Sequence, residues 1–337
     1  MDRKLVFQNR KTWLQSAAAL AVSIALVGWL LRDLGAGAVL QTIRGVWIPG
    51  LLMGLAAFAV MTVGRIARYW VLLENKPKLG ALTLVTLVRN MAGDLLPTRL
   101  GTLIYVWLVT RRLGVPAGDA FASFFLALVL DMVAIAPMLL VALLAVGTGW
   151  ESAGAIALLA GALLVISLIS LALLAPGLRV AAAMVAAILP RADRLAALAV
   201  DTAAQVEAVS ARGALWPAVA LSFVVRGAKF GAHYLVLQSV LAPLGVPWGS
   251  LGFPESFLGV AAAELSSMLP ITGIGAFGTW EAAFALGFTQ LGLTFEQAVL
   301  AGFSTHILTQ VHDYGLGALA LIALWWPSRT LPRSLGS

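Results

Sequence analysis

Two sets of side chains recur with spacings of 4, 3 and 4 inside segments that are otherwise apolar. Ser222, Arg226, Lys229 and His233 stand in the run 214–241; Gly302, His306, Thr309 and Asp313 stand in the run 298–325. On a helix that rhythm puts each set on one face. The first is a cationic stripe, suited to an ion pair with Asp131 or with a glutamate further along the chain, or to capture of a phosphate or other anion. The second carries a histidine, the side chain that titrates near neutral pH, and a carboxylate. It reads as a hydrogen-bonded helix seam or as proton coupling through His306 and Asp313. Asp131 stands alone amid Leu, Val, Ala and Met, and needs Arg226, Lys229 or Arg89 to stay ionised. A charge at the centre of a membrane helix costs about 2.5–3.5 kcal/mol on the gentlest insertion scale. Such groups must be paired, hydrated in a cavity, or used.

Two further stretches hold the densest chemistry. Arg89, Asp94 and Arg99 surround Pro97 within 81–110, and Glu264, Thr272, Thr279 and Glu281 surround Pro270 to Gly278 within 256–291. Each has a Leu-Pro step among glycines and polar residues. Proline removes a backbone donor and glycine relaxes the helix, so each stretch reads as two half-helices joined by a break. Broken backbone at membrane depth is tolerated only where it is buried in protein or lines a cavity. Half-helix N-termini offer N–H groups and a positive dipole end, and Gly273, Gly275 and Gly278 would let a phosphate come close. Paired interruptions in two halves of a chain point to a transporter site, often with inverted-repeat symmetry; here any such repeat is weak. The candidate substrate contacts are Arg89, Asp94, Arg99, Asp131, Arg226, Lys229, Glu264, Gly273, Gly275 and Glu281, with no catalytic residue assigned.

The elements that position these groups must be membrane helices. Of 337 residues, 61% are hydrophobic and 11% charged, and mean hydropathy is +0.96; soluble domains are about half apolar and a quarter charged. Apolar stretches near the ~20 residues needed to span lie at 13–31, 46–64, 120–147, 153–175, 214–241 and 298–325. The first reads as a retained helix, being too long for a signal-peptide core. Lys and Arg gather before the first stretch, after the second, before the third, between the fourth and fifth, and after the sixth. The positive-inside rule then places both termini in the cytoplasm. The expected fold is an all-α polytopic membrane protein, residues 1–337 forming one membrane domain. It has six full crossings plus two broken or re-entrant units at 81–110 and 256–291, the first entering from the cytoplasm and the second from outside; eight crossings is the alternative. Residues 177–212 read as a cytoplasmic amphipathic region. Arg65 and Arg68, beside Tyr69 and Trp70, look like interface anchors, and Trp325-Trp326 like an aromatic belt.

Several chemistries are excluded. With no cysteine there are no disulfides, thiol nucleophiles or cysteine-bound metals. No Gly-x4-Gly-Lys-Ser/Thr loop supports ATP drive and no His-Glu-x-x-His supports a zinc protease. No clustered aspartates suggest a magnesium diphosphate site, and Ser304 and His306 lie too close on one helix to act as nucleophile and base. No cofactor and no metal is expected. The net charge of +7 follows from cations at helix ends, so no nucleic-acid partner is implied.

The two broken units resemble those of the lysylphosphatidylglycerol synthase transmembrane family, also called flippase-like membrane proteins. Asp94-Leu-Leu-Pro-Thr-Arg-Leu-Gly101 resembles the family's first Leu-Pro-x-Arg-x-Gly element. Leu269-Pro-Ile-Thr-Gly-Ile-Gly-Ala-Phe-Gly-Thr-Trp-Glu281 resembles its second and more specific one. Relatives commonly continue the first element with Glu and then Arg, where this chain has Thr102 and Tyr105. Larger members add a soluble aminoacyl-transfer domain, for which this sequence has no counterpart, so synthase activity is not implied. The resemblance implies translocation of a phospholipid or a polyprenyl- or hopanoid-type lipid between leaflets of a bacterial inner membrane, with a homo-oligomer or a lipid-synthesis enzyme as partner. The alternatives are an intramembrane transferase using Asp94, Glu264 or His306 as base, and a non-catalytic subunit of a lipid-synthesis complex.

Overall fold

The computed structural model describes residues 20–21, 23–95, 103–147, 153–189, 192–266 and 274–325. Pro97, Arg99, Pro270, Thr272 and Gly273 lie outside them. The described residues form helices α1 (Ser23–Leu31), α2 (Gly35–Arg44), α3 (Ile48–Leu72), α4 (Leu79–Leu95), α5 (Leu103–Leu113) and α6 (Ala117–Val146). They continue with α7 (Ala153–Ile188), α8 (Asp193–Ala211), α9 (Leu215–Leu241), α10 (Phe253–Ser266), α11 (Thr279–Gln290) and α12 (Phe295–Trp325), with no strand among them. The protein is an all-α polytopic membrane protein. By length and apolarity α3, α6, α7 and α12 can each cross a membrane alone. The number rises to six if α1 with α2, bent by 80°, and α8 with α9, bent by 92°, each count as one span.

The fourth apolar stretch does not end at 175: α7 runs on through Pro176 and Gly177 to Ile188. A proline costs a membrane helix one backbone hydrogen bond and a local steric adjustment that neighbouring groups absorb, and α6 carries Pro137 in the same way. The region read as amphipathic therefore reduces to α8.

Contacts between loops define the two ends of the molecule. At one end Lys76 approaches Asp119 at 3.3 Å, Arg212 pairs with Glu74 at 2.7 Å, and the Arg112 guanidinium lies over the Trp325 ring at 4.1 Å. This end collects the end of α3, the start of α6, the α8–α9 bend and the end of α12. The α3 terminus is closed by Glu74 and Asn75, both at φ 58, with the Asn75 N–H donating to Trp70 O at 2.8 Å and Arg212 donating to Leu72 O at 2.8 Å. Those contacts satisfy carbonyls that a helix end would otherwise leave bare. At the opposite end Trp47 meets Trp248 with ring centroids 4.7 Å apart, Trp29 meets Phe295 at 6.3 Å, and Gln297 donates to Leu244 O at 3.2 Å.

Helices α3 and α9 run antiparallel in the closest packing of the fold. The contact is made by glycines of α3. A Cβ on Gly54 would lie 2.7 Å from Val236 Cγ2 and 3.2 Å from Ala232 O, and one on Gly64 would lie 3.2 Å from Val225 Cγ2. Small residues at a membrane helix interface let two backbones approach, and Phe58, Met61, Val236 and Val240 pack around this seam.

The two interrupted stretches form hairpins that enter from opposite ends. α4 leaves the basic end and α5 returns to it; α10 leaves the opposite end and α11 returns there. α10 and α11, of 14 and 12 residues, are only about 21 and 18 Å long, too short for a ~30 Å hydrocarbon core. They lie side by side: Ser266 Oγ donates to Thr279 O at 3.2 Å, and a Cβ on Gly287 would sit 3.5 Å from Gly259 Cα. α4 packs on α12 where Gly317 receives Met91.

Candidate functional site

Three polar clusters occupy the interior of the described helices. In the first, Asp131 of α6 accepts Arg68 Nη1 at 2.5 Å on one oxygen and Arg226 Nη2 at 2.7 Å on the other. Arg68 also donates to Ser222 Oγ at 2.9 Å. Asp131 thus draws on Arg226, as its isolation required, and on Arg68, which sequence reasoning placed at the membrane interface. Arg68 is 1% and Arg65 9% exposed. Both lie on the buried face of α3 that already includes Phe58, Met61 and Thr62, and that continuity was the signal available in the sequence.

Next to it, Arg65 Nη1 and Arg89 Nη1 converge on Asn90 Oδ1, the second at 3.4 Å, and Arg65 Nη2 reaches the Met61 sulfur at 3.7 Å. Among the described residues neither Arg65 nor Arg89 pairs directly with a carboxylate. Arg89 Nε and Asn90 Nδ2 are buried with no hydrogen-bond partner. Among the described residues, Arg68 and Arg226 thus bond Asp131, Arg65 lies within its field, and Arg89 stands beside Arg65.

The second cluster is acidic. Lys229 Nζ meets Glu264 Oε2 at 2.6 Å, and their side chains keep 19% and 20% of their surface exposed. Asp94, at the end of α4, is exposed and lies within the fields of Asp313, Lys229, Glu264 and Arg65. Asp313 pairs with His312 Nδ1 at 2.9 Å and is 18% exposed. His233 bonds the Lys229 carbonyl at 2.9 Å and packs edge-on to Phe58. Partly exposed carboxylates with one lysine thus stand beside the buried Arg65 and Arg226.

The third cluster is closed. Glu281 is 0% exposed; one oxygen meets His306 Nδ1 at 2.5 Å and the other accepts the Gly278 N–H at 2.6 Å. His306 Nε2 contacts Gln310 Nε2 at 2.8 Å, and its ring lies between Phe277 and Trp280, with centroids 4.6 and 4.7 Å away. His306 is therefore joined to Glu281 and not to Asp313, whose partner is the adjacent His312. The N–H of Gly278, the residue that precedes α11, is taken by Glu281 itself, so that N–H and that carboxylate oxygen are already engaged with each other. Gly278, at φ +92, is also covered: a Cβ there would lie 2.7 Å from Leu26 Cβ, and Ser23 donates to the Phe277 carbonyl at 2.9 Å. Gly275 is buried below Tyr314. Tyr105, where relatives commonly hold arginine, is buried, stacks on Tyr69 at 4.2 Å and bonds Ser123 at 2.9 Å. Among the described residues no group of three or more His, Asp or Glu could hold a metal ion.

Four to six helices able to cross a membrane, packed around buried ion pairs, define a multi-pass membrane protein. The chain belongs to the lysylphosphatidylglycerol synthase transmembrane family: the profile described as the lysylphosphatidylglycerol synthase TM region matches residues 16–317. That membership makes it a membrane protein of lipid metabolism or translocation. No curated protein sequence matches the chain.

Proposed function

We propose that the protein translocates a phospholipid or lipid-linked intermediate between leaflets, its headgroup passing through the polar interior between α4 and α10. The observation that carries this reading is the charge distribution among the described residues of that interior: Arg65, Arg68, Arg89 and Arg226 with Asp131 on the α3–α4–α6–α9 side, and Asp94, Glu264 and Asp313 with Lys229 beside them. An anionic phosphate finds cations there, and an amino group of a zwitterionic headgroup finds Asp94, Glu264 and Asp313. The acyl chains stay in lipid. A phosphate sunk unaided into hydrocarbon carries a prohibitive desolvation penalty, which prearranged counter-charges largely remove. The basic end, with Lys76, Arg111, Arg112 and Arg212, faces the cytoplasm of a bacterial inner membrane under the positive-inside rule.

The test is a leaflet-accessibility assay in proteoliposomes with a headgroup-labelled phospholipid, quenched from outside. The expected result is that protein-containing vesicles expose the inner-leaflet label faster than empty ones, and that Lys229→Gln returns the rate toward empty vesicles. Equal rates with and without protein would overturn the reading. Mass spectrometry of the recovered lipid closes the other route: an altered mass means group transfer, with exposed Asp94 as the candidate base.

A further inference from the structure

We propose that Arg65, Arg89 and Asn90 form the seat for the lipid's phosphodiester, a site on α3 and α4 away from the ion-paired Arg226 and Lys229. This rests on the translocation reading and names the atoms that would take the charged group.

Every other intramembrane cation among the described residues already has a carboxylate. Arg68 and Arg226 share Asp131, and Lys229 holds Glu264. Arg65 and Arg89 instead share a neutral amide oxygen, that of Asn90. Two like charges brought to one uncharged acceptor in a low-dielectric interior repel each other. Such an arrangement is stable when an anion visits it. Asn90 is 4% exposed and its Nδ2 has no hydrogen-bond partner, while Arg89 Nε is likewise buried and unpartnered. Beside the two guanidinium groups, whose shared acceptor is the neutral Asn90 oxygen, Arg89 Nε and Asn90 Nδ2 thus stand as buried donors with no partner among the described residues. Guanidinium presents its N–H groups in a planar fork that matches two phosphate oxygens. The seat lies about 16 Å along α4 from its start, at the depth where Arg65 faces the field of exposed Asp94. A headgroup there spans from the arginines to the acidic side.

The ligand chemistry is a phosphate oxyanion, and a lipid phosphodiester and free inorganic phosphate both carry it. The experiment separates them by titrating the full-length chain in detergent with dihexanoyl-phosphatidylglycerol, with dihexanoylglycerol, which lacks phosphate, and with inorganic phosphate, read by microscale thermophoresis. Only the phospholipid should saturate, with inorganic phosphate competing at far higher concentration. Arg65→Gln and Arg89→Gln should each weaken binding by about ten-fold or more, the loss expected for one charge-assisted contact. Asn90→Asp is the sharper variant. It inserts a carboxylate between the two guanidinium groups, so it should raise the thermal unfolding midpoint and at the same time weaken phospholipid binding at least as much. Wild-type affinity in Arg65→Gln and Asn90→Asp, or a lowered midpoint in Asn90→Asp, overturns the seat. Equal affinity for inorganic phosphate and phospholipid overturns its assignment to lipid. A wild type that translocates lipid while these variants bind normally rejects the seat alone. A wild type that binds phospholipid through Arg65 but exchanges none between leaflets rejects translocation and keeps the seat.

Discussion

Arg68 and Arg226, from helices that run antiparallel, hold opposite oxygens of the same Asp131 carboxylate at 2.5 and 2.7 Å. Three helices are thereby tied at one buried point by charge alone. Removing one member of a buried ion pair leaves the others without compensation, typically at a cost of about 3–5 kcal/mol. Asp131→Asn should therefore lower the unfolding midpoint in detergent sharply. Pairing it with Arg226→Gln should be less damaging than the sum of the two single changes. Strict additivity would mean that the three groups do not act as a unit.

Lys229 and Glu264 make a second intramembrane ion pair, with about a fifth of each side chain exposed. Single neutralisation is expected to spare the fold more than the Asp131 change does, and to slow lipid exchange between leaflets. The reciprocal exchange Lys229→Glu with Glu264→Lys should recover part of the rate. Recovery of stability without any recovery of exchange would assign the pair to packing.

Glu281 combines a helix cap with a histidine contact. Loss of a cap costs about 0.5–2 kcal/mol and loss of a charged buried hydrogen bond about 1.5–3 kcal/mol. Glu281→Ala should therefore destabilise more than Glu281→Gln, whose amide oxygen still accepts one of the two bonds. Thermal unfolding of both variants, set beside their exchange rates, decides whether stability falls first.

At the basic end the contacts are wet and titratable. The Lys76 ammonium bonded to Glu74, with Arg212 beside it, holds the Glu74 carboxyl below the usual carboxylate range. That carboxyl ionises more readily in the folded chain than in the unfolded one. Its contribution is present above the ordinary glutamate value, about 4.3, and is lost as pH falls through the lower folded value. Arg212→Gln should accordingly lose a small increment of stability at pH 7, and the gap to wild type should shrink below about pH 4. A gap that stays constant with pH would attribute the effect to the bonds Arg212 makes with the α3 carbonyls.

The seam between α3 and α9 predicts a steric response. Gly54→Leu would drive a side chain into Val236 and the Ala232 carbonyl, where overpacking commonly costs about 1–3 kcal/mol. Gly64→Ala, facing a 3.2 Å approach to a single valine methyl, should cost less. Comparing their unfolding midpoints checks the order.

Much of this architecture is readable along the chain, because membrane helices declare themselves by apolar length and their ends by lysine and arginine. The stripe Ser222, Arg226, Lys229 and His233, the isolated Asp131, and the two Leu-Pro steps all led to the interior. Arg65 and Arg68 escaped because an arginine beside Tyr69 and Trp70 near a helix end has the look of an interface belt. Only the partner helices reveal that α3 is enclosed there. His306 was matched to Asp313 by helical spacing alone, whereas its true partner, Glu281, approaches from another helix. The apolar stretch 153–175 stops short of the helix it belongs to, since α7 continues to Ile188. Contacts between helices decide such cases, and spacing along one helix carries no information about them.

Helices that touch through glycine, as α3 and α9 do at Gly54 and Gly64, cannot ratchet past each other, since a one-turn slip would push valine methyls into main chain. They form a fixed keel down the molecule. On the translocation reading proposed above, any widening for a headgroup would fall to the shorter helices α4, α5, α10 and α11.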